Sequence, residues 1–152
     1  MFNLFASVPV ASIADLYGGK LCAALDRQHP RDLFDVKLLL EHEGITDDIR
    51  KAFVIYLASH DRTMHELLDP SFKDMRNIYE AEFAGMTIEP VSLTALINVQ
   101  KQLGQLIRQS LTNKEKQFLL SFKKGDPHWH LIDNDSIENL PAIRWKLINI
   151  RK

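Results

Sequence analysis

The sequence predicts a mainly α-helical bundle, with at most one N-terminal β-strand. Three observations carry this. Apolar residues recur at three- and four-residue spacing in segment after segment. Those segments are bracketed by helix punctuation, with Pro30, Thr46, Ser92, Thr112 and Pro141 at starts and Gly44, Gly85 and Gly125 at stops. Alternating apolar and polar residues are absent after Val10, so nothing beyond Phe2 to Val10 (FNLFASVPV) reads as a strand.

The elements follow in order. Ser12 is placed to cap the first helix, with Asp15 three residues on completing a capping-box pattern. At about 100° per residue, Ile13, Leu16, Tyr17, Lys20, Ala23, Ala24 and Arg27 share one side, and Asp15, Cys22 and Asp26 the other. Lys20 and Arg27 are therefore expected to face inward. Gly18-Gly19 inside a helix costs about 1 kcal/mol per glycine relative to alanine, which implies that another backbone or a ligand comes close. His29, beside Pro30 and between Arg27 and Arg31, reads as a turn residue before it reads as a substrate contact.

Pro30 opens a second helix, stopped by Gly44. Asp32 and Asp35 lie on its side with Val36, Leu39 and Leu40, and Lys37 and Glu41 lie opposite. Near a helix N-terminus the dipole favours acids, so one reading of Asp32 and Asp35 is structural pairing with Arg27 and Arg31. The other is chemical: cations for phosphate, carboxylates for a metal or a proton.

Thr46 caps a third helix, Asp47 to Ser59, with Ile49, Ala52, Phe53, Tyr56 and Leu57 at core spacing. Met64 to Leu68 is a short turn of helix ended by Asp69-Pro70. Phe72 to Ala84 is expected as the next helix, with Phe72, Met75, Ile78, Tyr79, Glu82 and Phe83 on one broad face. Pro90 breaks the connection Thr87 to Ser92. Leu93 to Ser110 is expected to be the longest helix, followed by Asn113 to Lys123 with Phe118, Leu119 and Phe122 buried. Asp126 to Asn134 is a loop packed by Trp129, Ser136 starts a turn, and the last helix begins at Pro141. Ile143, Trp145, Leu147 and Ile148 are expected to dock it on the bundle, in preference to Trp145 stacking on RNA.

The 152 residues suit one helical domain with a sizeable core, and no linker divides them. A single cysteine excludes an internal disulfide and fits a reducing cytosol. Cys22 reads as a small half-buried residue, since no base adjoins it to make a nucleophile. No apolar run reaches the ~20 residues of a membrane span and no signal-peptide pattern is present, so the expected location is cytoplasmic with no membrane partner.

The net charge of −1 conceals an asymmetry. Residues 1–95 carry 9 basic and 15 acidic side chains, whereas residues 96–152 carry 10 basic and 5 acidic. The basic half reads first as a solvated helical surface and second as a nucleic-acid contact. His128-x-His130 lacks a third ligand at useful spacing, which favours a packed loop over a metal site. His65-Glu66 has Asp69 where a zinc-protease helix needs its second histidine.

The stretch Leu16 to Leu40, LYGGKLCAALDRQHPRDLFDVKLLL, closely resembles a motif of the AbiEii/AbiGii-type nucleotidyltransferase toxins, in which a lysine-bearing helix leads into an R-D-x-x-D helix. The segment Leu140 to Ile150, LPAIRWKLINI, resembles that family's closing segment, so the resemblance spans nearly the whole chain. It implies a toxin of a two-gene bacterial abortive-infection system, with an antitoxin encoded by a neighbouring gene. The complete enzyme would move a nucleotidyl group from an NTP to an acceptor such as RNA. By the resemblance Lys20 holds nucleotide phosphates, Arg27 and Arg31 assist, and Asp32 or Asp35 completes the catalytic acid set. The family's site also needs a Gly-Ser/Thr loop and a D-x-D/E pair for Mg²⁺, which nothing before Ala11 supplies. The expectation is a C-terminal portion or a shortened gene product, without catalysis by these residues alone. The alternative is a non-catalytic helical interaction or nucleic-acid-binding module.

Overall fold

A computed structural model describes residues 10–132 and 138–151. Those residues form helices joined by loops, with no strand among them. The strand expected over Phe2 to Val10 lies outside the described residues save Val10, and so does the turn expected at Ser136.

Helix α1 spans Val10–Arg27. It begins two residues before Ser12, so Ser12 lies inside the helix and is not its cap. Its buried residues are Ala14, Gly18, Leu21, Cys22, Ala24 and Leu25, all small or aliphatic. Ile13 and Leu16, expected in the core, are 49% and 54% exposed. Ala24 is buried and Tyr17 packs on the core as expected, but the inward side is otherwise rotated away from the one expected, and Lys20 and Arg27 sit on its margin. Gly18 is the cause. A Cβ there would lie 2.7 Å from Ala52 Cβ and 2.8 Å from the Phe53 nitrogen, on α3 (Asp47–Ser59). The backbone that the glycine pair implied is therefore that of α3, and the helix turns its smallest face toward it. Cys22, expected to be half-buried, is fully inside.

Helix α2, Pro30–His42, buries Pro30, Leu33, Val36 and Leu39 against α1 and α6 (Leu93–Ser110). Lys37 and Glu41 pair across one turn on its outer side, as expected. The Thr46, Ser92 and Thr112 hydroxyls each accept from the backbone N–H three residues on. Thr112 and Glu115 form a full capping box at the start of α7, Asn113–Lys123. At eighteen residues α6 is matched in length by α1. Short α4, Met64–Leu68, packs on α1, α3 and α6, and α8, Pro141–Arg151, docks on α3. Helices α1 and α3 form the centre of the bundle. Around them Phe53, Phe118 and Phe122 are fully buried, each contributing about 1.5–3 kcal/mol of transfer free energy.

Two segments depart from expectation. The helix predicted over Phe72 to Ala84 starts only at Arg76, as α5 (Arg76–Ile78), and runs on as a π-helix, Tyr79–Phe83. Phe72 and Ile78 are exposed. The reason is a buried side-chain clamp: Gln28 Nε2 donates to Ser71 O at 2.9 Å, and Gln28 Oε1 accepts from Lys73 N at 2.9 Å. Those backbone groups are held by a side chain in a non-helical conformation. In α8, Ile143 and Leu147 dock as expected, but Trp145 and Ile148 are exposed. Trp129 packs on Phe118 and Phe122 with ring centroids 5.6 and 6.4 Å away, as its loop required.

Candidate functional site

The expected site residues lie on the α1–α2 hairpin, whose shape is fixed at Gln28. That residue takes φ +52°, a left-handed conformation uncommon for a side chain with a Cβ. It is held there because its amide is buried and hydrogen-bonded through both its nitrogen and its oxygen. Besides Ser71 and Lys73, Gln100 Nε2 of α6 donates to Gln28 Oε1 at 2.7 Å, and the same nitrogen reaches Lys73 O at 2.9 Å. His29 follows in an extended conformation, as a residue before proline prefers. Its Nδ1 accepts from Arg31 N at 3.1 Å and caps α2, which makes it a turn residue.

The hairpin brings Lys20 to Asp35, with Nζ donating to Oδ2 at 2.8 Å. Their side chains are 32% and 38% exposed, at the bundle surface and not in its core. Arg27 Nη2 donates to Asp32 Oδ1 at 3.1 Å, with the arginine largely in solvent and the acid mostly covered. Arg31 joins neither acid. Its nearest carboxylate is Glu82 of the π-helix, 3.9 Å away, and Glu82 also lies 3.5 Å from His29 Nε2. Four of the five residues thus form two cation–carboxylate pairs side by side, and the fifth turns toward a neighbour. The exposed Ile13 and Leu16 precede Lys20 by seven and four residues, so they flank it on the same open face.

Reasoning from sequence missed the role of Glu82, placed there only on a broad helix face, and a second cluster at the end of α1. Asp26 Oδ1 accepts from Arg62 Nη1 at 2.7 Å, and His60 Nε2 stands 3.5 Å from Asp26 Oδ2. Lys73 Nζ donates to the Asp26 and Arg27 carbonyls. These cations meet the negative end of the helix dipole. Partial burial pushes the Asp26 carboxyl up, but the Arg62 hydrogen bond and the charges of His60, Arg62 and Lys73 outweigh it and hold it below the usual carboxylate range. Burial, and then the Asp26 charge, push the Cys22 thiol up to about 12. No spacing rule links residues 26, 60, 62 and 73; only the fold does.

The donor set can be tested for a divalent metal. Asp32 and Asp35 are two carboxylates, each spent on a cation, and among the described residues no group of three His, Cys, Asp or Glu side chains is placed to hold an ion. The hairpin alone does not fit Mg²⁺, which is bound by oxygen donors around an octahedron. The hairpin carries three cations, Lys20, Arg27 and Arg31, the first two paired with its own acids. Among the described residues no helix is long and apolar enough to cross a membrane.

Comparison with known families gives a match over nearly the whole chain. The model of a family described as nucleotidyl transferase AbiEii toxin, type IV TA system, matches residues 2–149. Neither the curated proteins nor the solved structures contain a match to the chain.

Proposed function

The chain belongs to the AbiEii nucleotidyl transferase toxin family of type IV toxin–antitoxin systems, and from that premise we propose that the α1–α2 hairpin holds the phosphates of an NTP. Lys20 neutralises the triphosphate, exchanging its Asp35 partner for phosphate oxygens. Arg27, two helical turns further along α1, and Arg31, in the first turn of α2, orient the anion. Asp32 or Asp35, released from its cation by the bound anion, belongs to the acid set of nucleotidyl transfer to an acceptor such as RNA. Mg²⁺ supplies charge neutralisation and in-line geometry in phosphoryl chemistry, but the hairpin's own carboxylates, each paired with a cation, do not make its site. Family membership brings an antitoxin counterpart, and a cytoplasmic location accords with it.

The observation that carries this reading is the placement of Lys20. It lies on an open face at a pair that an anion can exchange, not in a sealed core. Titration calorimetry with GTP, ATP, CTP and UTP, with and without Mg²⁺, tests it. Saturable heat that disappears in Lys20→Ala supports the site.

A second reading has its own observation. Lys20, Arg27, Asp32 and Asp35 satisfy one another, and Arg31 faces Glu82. A non-catalytic helical interaction module would need no more. Absence of nucleotide binding to the intact chain favours it.

A further inference from the structure

A second face of the bundle, sharing no residue with the hairpin, has the form of a binding groove. It runs between α4, the end of α6 and the length of α7, with a volume of about 400 Å³. The floor is aliphatic, formed by Met64, Leu68, Leu111, Leu119 and Leu120. Leu120 is 59% exposed, so the floor is open to a partner. Arg108, Lys116 and Lys123 stand around it. The walls are fixed: Arg108 Nη1 donates to Leu68 O at the end of α4, and Gly104 lets that carbonyl lie against α6, where a Cβ would stand 2.7 Å from it. Asp69 is 4.0 Å from Arg108, whereas Lys116 and Lys123 make no ion pair among the described residues.

The chemistry of the lining selects the occupant. No Phe, Tyr or Trp lines the groove, and its one ring, the exposed imidazole of His65, offers a single stacking surface, short of the succession of aromatic side chains on which single-stranded nucleic acid binding depends. Lys116 and Lys123 are two turns apart on α7, about 10.5 Å along its axis, too far to converge on one carboxylate. Leu119 and Leu120 fall between them. An occupant that satisfies both lysines and covers the floor has two acids spaced by two helical turns, with aliphatic side chains between. We propose that this groove docks an acidic amphipathic helix of a partner protein, laid along α7 with its apolar face down. The surplus of basic over acidic side chains in residues 96–152 supplies the complementary field that guides such a helix to it.

Fluorescence anisotropy with a synthetic helix tests this, using a labelled peptide with leucines on one face and glutamates two turns apart, and its twin with lysine at every glutamate. The acidic peptide binds saturably and the basic twin does not. Affinity falls at least about tenfold in Lys116→Glu/Lys123→Glu and again in Leu120→Glu. All three side chains are exposed, so the variants keep the thermal midpoint and helical circular dichroism of the parent. Failure of the acidic peptide to bind, equal binding of the twin, or indifference to the substitutions overturns the proposal. So does a single-stranded RNA oligonucleotide that binds through the lysines without needing Leu120. Self-association in sedimentation abolished by Leu120→Glu would also overturn it, by assigning the groove to a second copy. None of these outcomes involves Lys20, so this test and the nucleotide titration fail independently.

Discussion

Lys20 and Asp35, fifteen residues apart, meet across the α1–α2 hairpin with Nζ donating to Oδ2 at 2.8 Å, so the cation and one acid of the candidate site occupy each other. The pair is about one-third exposed, and such pairs contribute roughly 0–1 kcal/mol. Its rupture is therefore a small obstacle to an incoming phosphate, and its loss a small insult to the fold. Asp35→Asn is expected to move the thermal midpoint by no more than about 2–4 °C while tightening triphosphate binding, because Lys20 is released. Scanning fluorimetry and calorimetric titration on the same variant check both. A large drop in midpoint would make the pair structural.

Gly18→Ala is expected to destabilise despite the better helix propensity of alanine, worth about 1 kcal/mol. The new methyl would stand under 3 Å from Ala52 Cβ, Ala52 C and Phe53 N, two of which are backbone atoms, and overpacking of this kind costs about 1–3 kcal/mol. Gly19→Ala is the control. Its nearest neighbour is the Tyr56 ring at 3.3 Å, a side chain that can shift, so the change is expected to be close to neutral. Urea melts of the two variants should separate.

Gln28→Ala removes the partner of three groups at once: Ser71 O, Lys73 N and Gln100 Nε2. Each group left unpaired out of water costs about 1–3 kcal/mol, so the variant is expected to be among the least stable single changes in the bundle. Hydrogen exchange gives the specific readout. The Lys73 amide should lose protection before the interior of α1 does.

Asp26 makes an acid-side prediction. Its carboxyl is held below the usual range in the folded chain, so the unfolded chain binds the proton more readily. The stability this supplies is present above the ordinary carboxylate pKa and is lost as pH falls below about 4, through the folded value. Asp26→Asn is therefore expected to be less stable than the parent at neutral pH and to converge with it in acid. Denaturation midpoints across that range check the sign.

Cys22 is fully buried and its thiol is pushed up to about 12. The reactive species is the thiolate, so alkylation by iodoacetamide at neutral pH should track unfolding and be negligible in the native chain. Rapid labelling without denaturant would contradict the α1–α3 packing.

The helices were legible where local rules govern. The Thr46, Ser92 and Thr112 caps, Pro30 and Pro141 at first turns, and Phe118 and Phe122 in the core all stand as periodicity and capping dictate. The inward face of α1 was misjudged because Ile13 and Leu16 outweigh Ala14 and Gly18 in any count of apolarity, yet close approach to α3 selects for smallness. The unwinding before Arg76 was equally hidden, since the Gln28 clamp acts across more than forty residues. Of the hairpin's contacts, the Arg27–Asp32 pair was among the structural pairings the sequence offered, whereas Asp35 pairs with Lys20 and not with an arginine. The turn of Arg31 toward Glu82 and the Asp26 cluster depend on contacts that only the folded bundle creates.

Lysine-resolved NMR of the whole chain, with every side-chain Nζ assigned through Lys→Arg variants, reads the central claim at the atom concerned. On addition of an NTP the account predicts that the Lys20 signal shifts saturably, with Lys116 and Lys123 unmoved and the response abolished in Lys20→Ala. A Lys20 signal that stays in place at saturating nucleotide, or shifts confined to the α7 lysines, would contradict it.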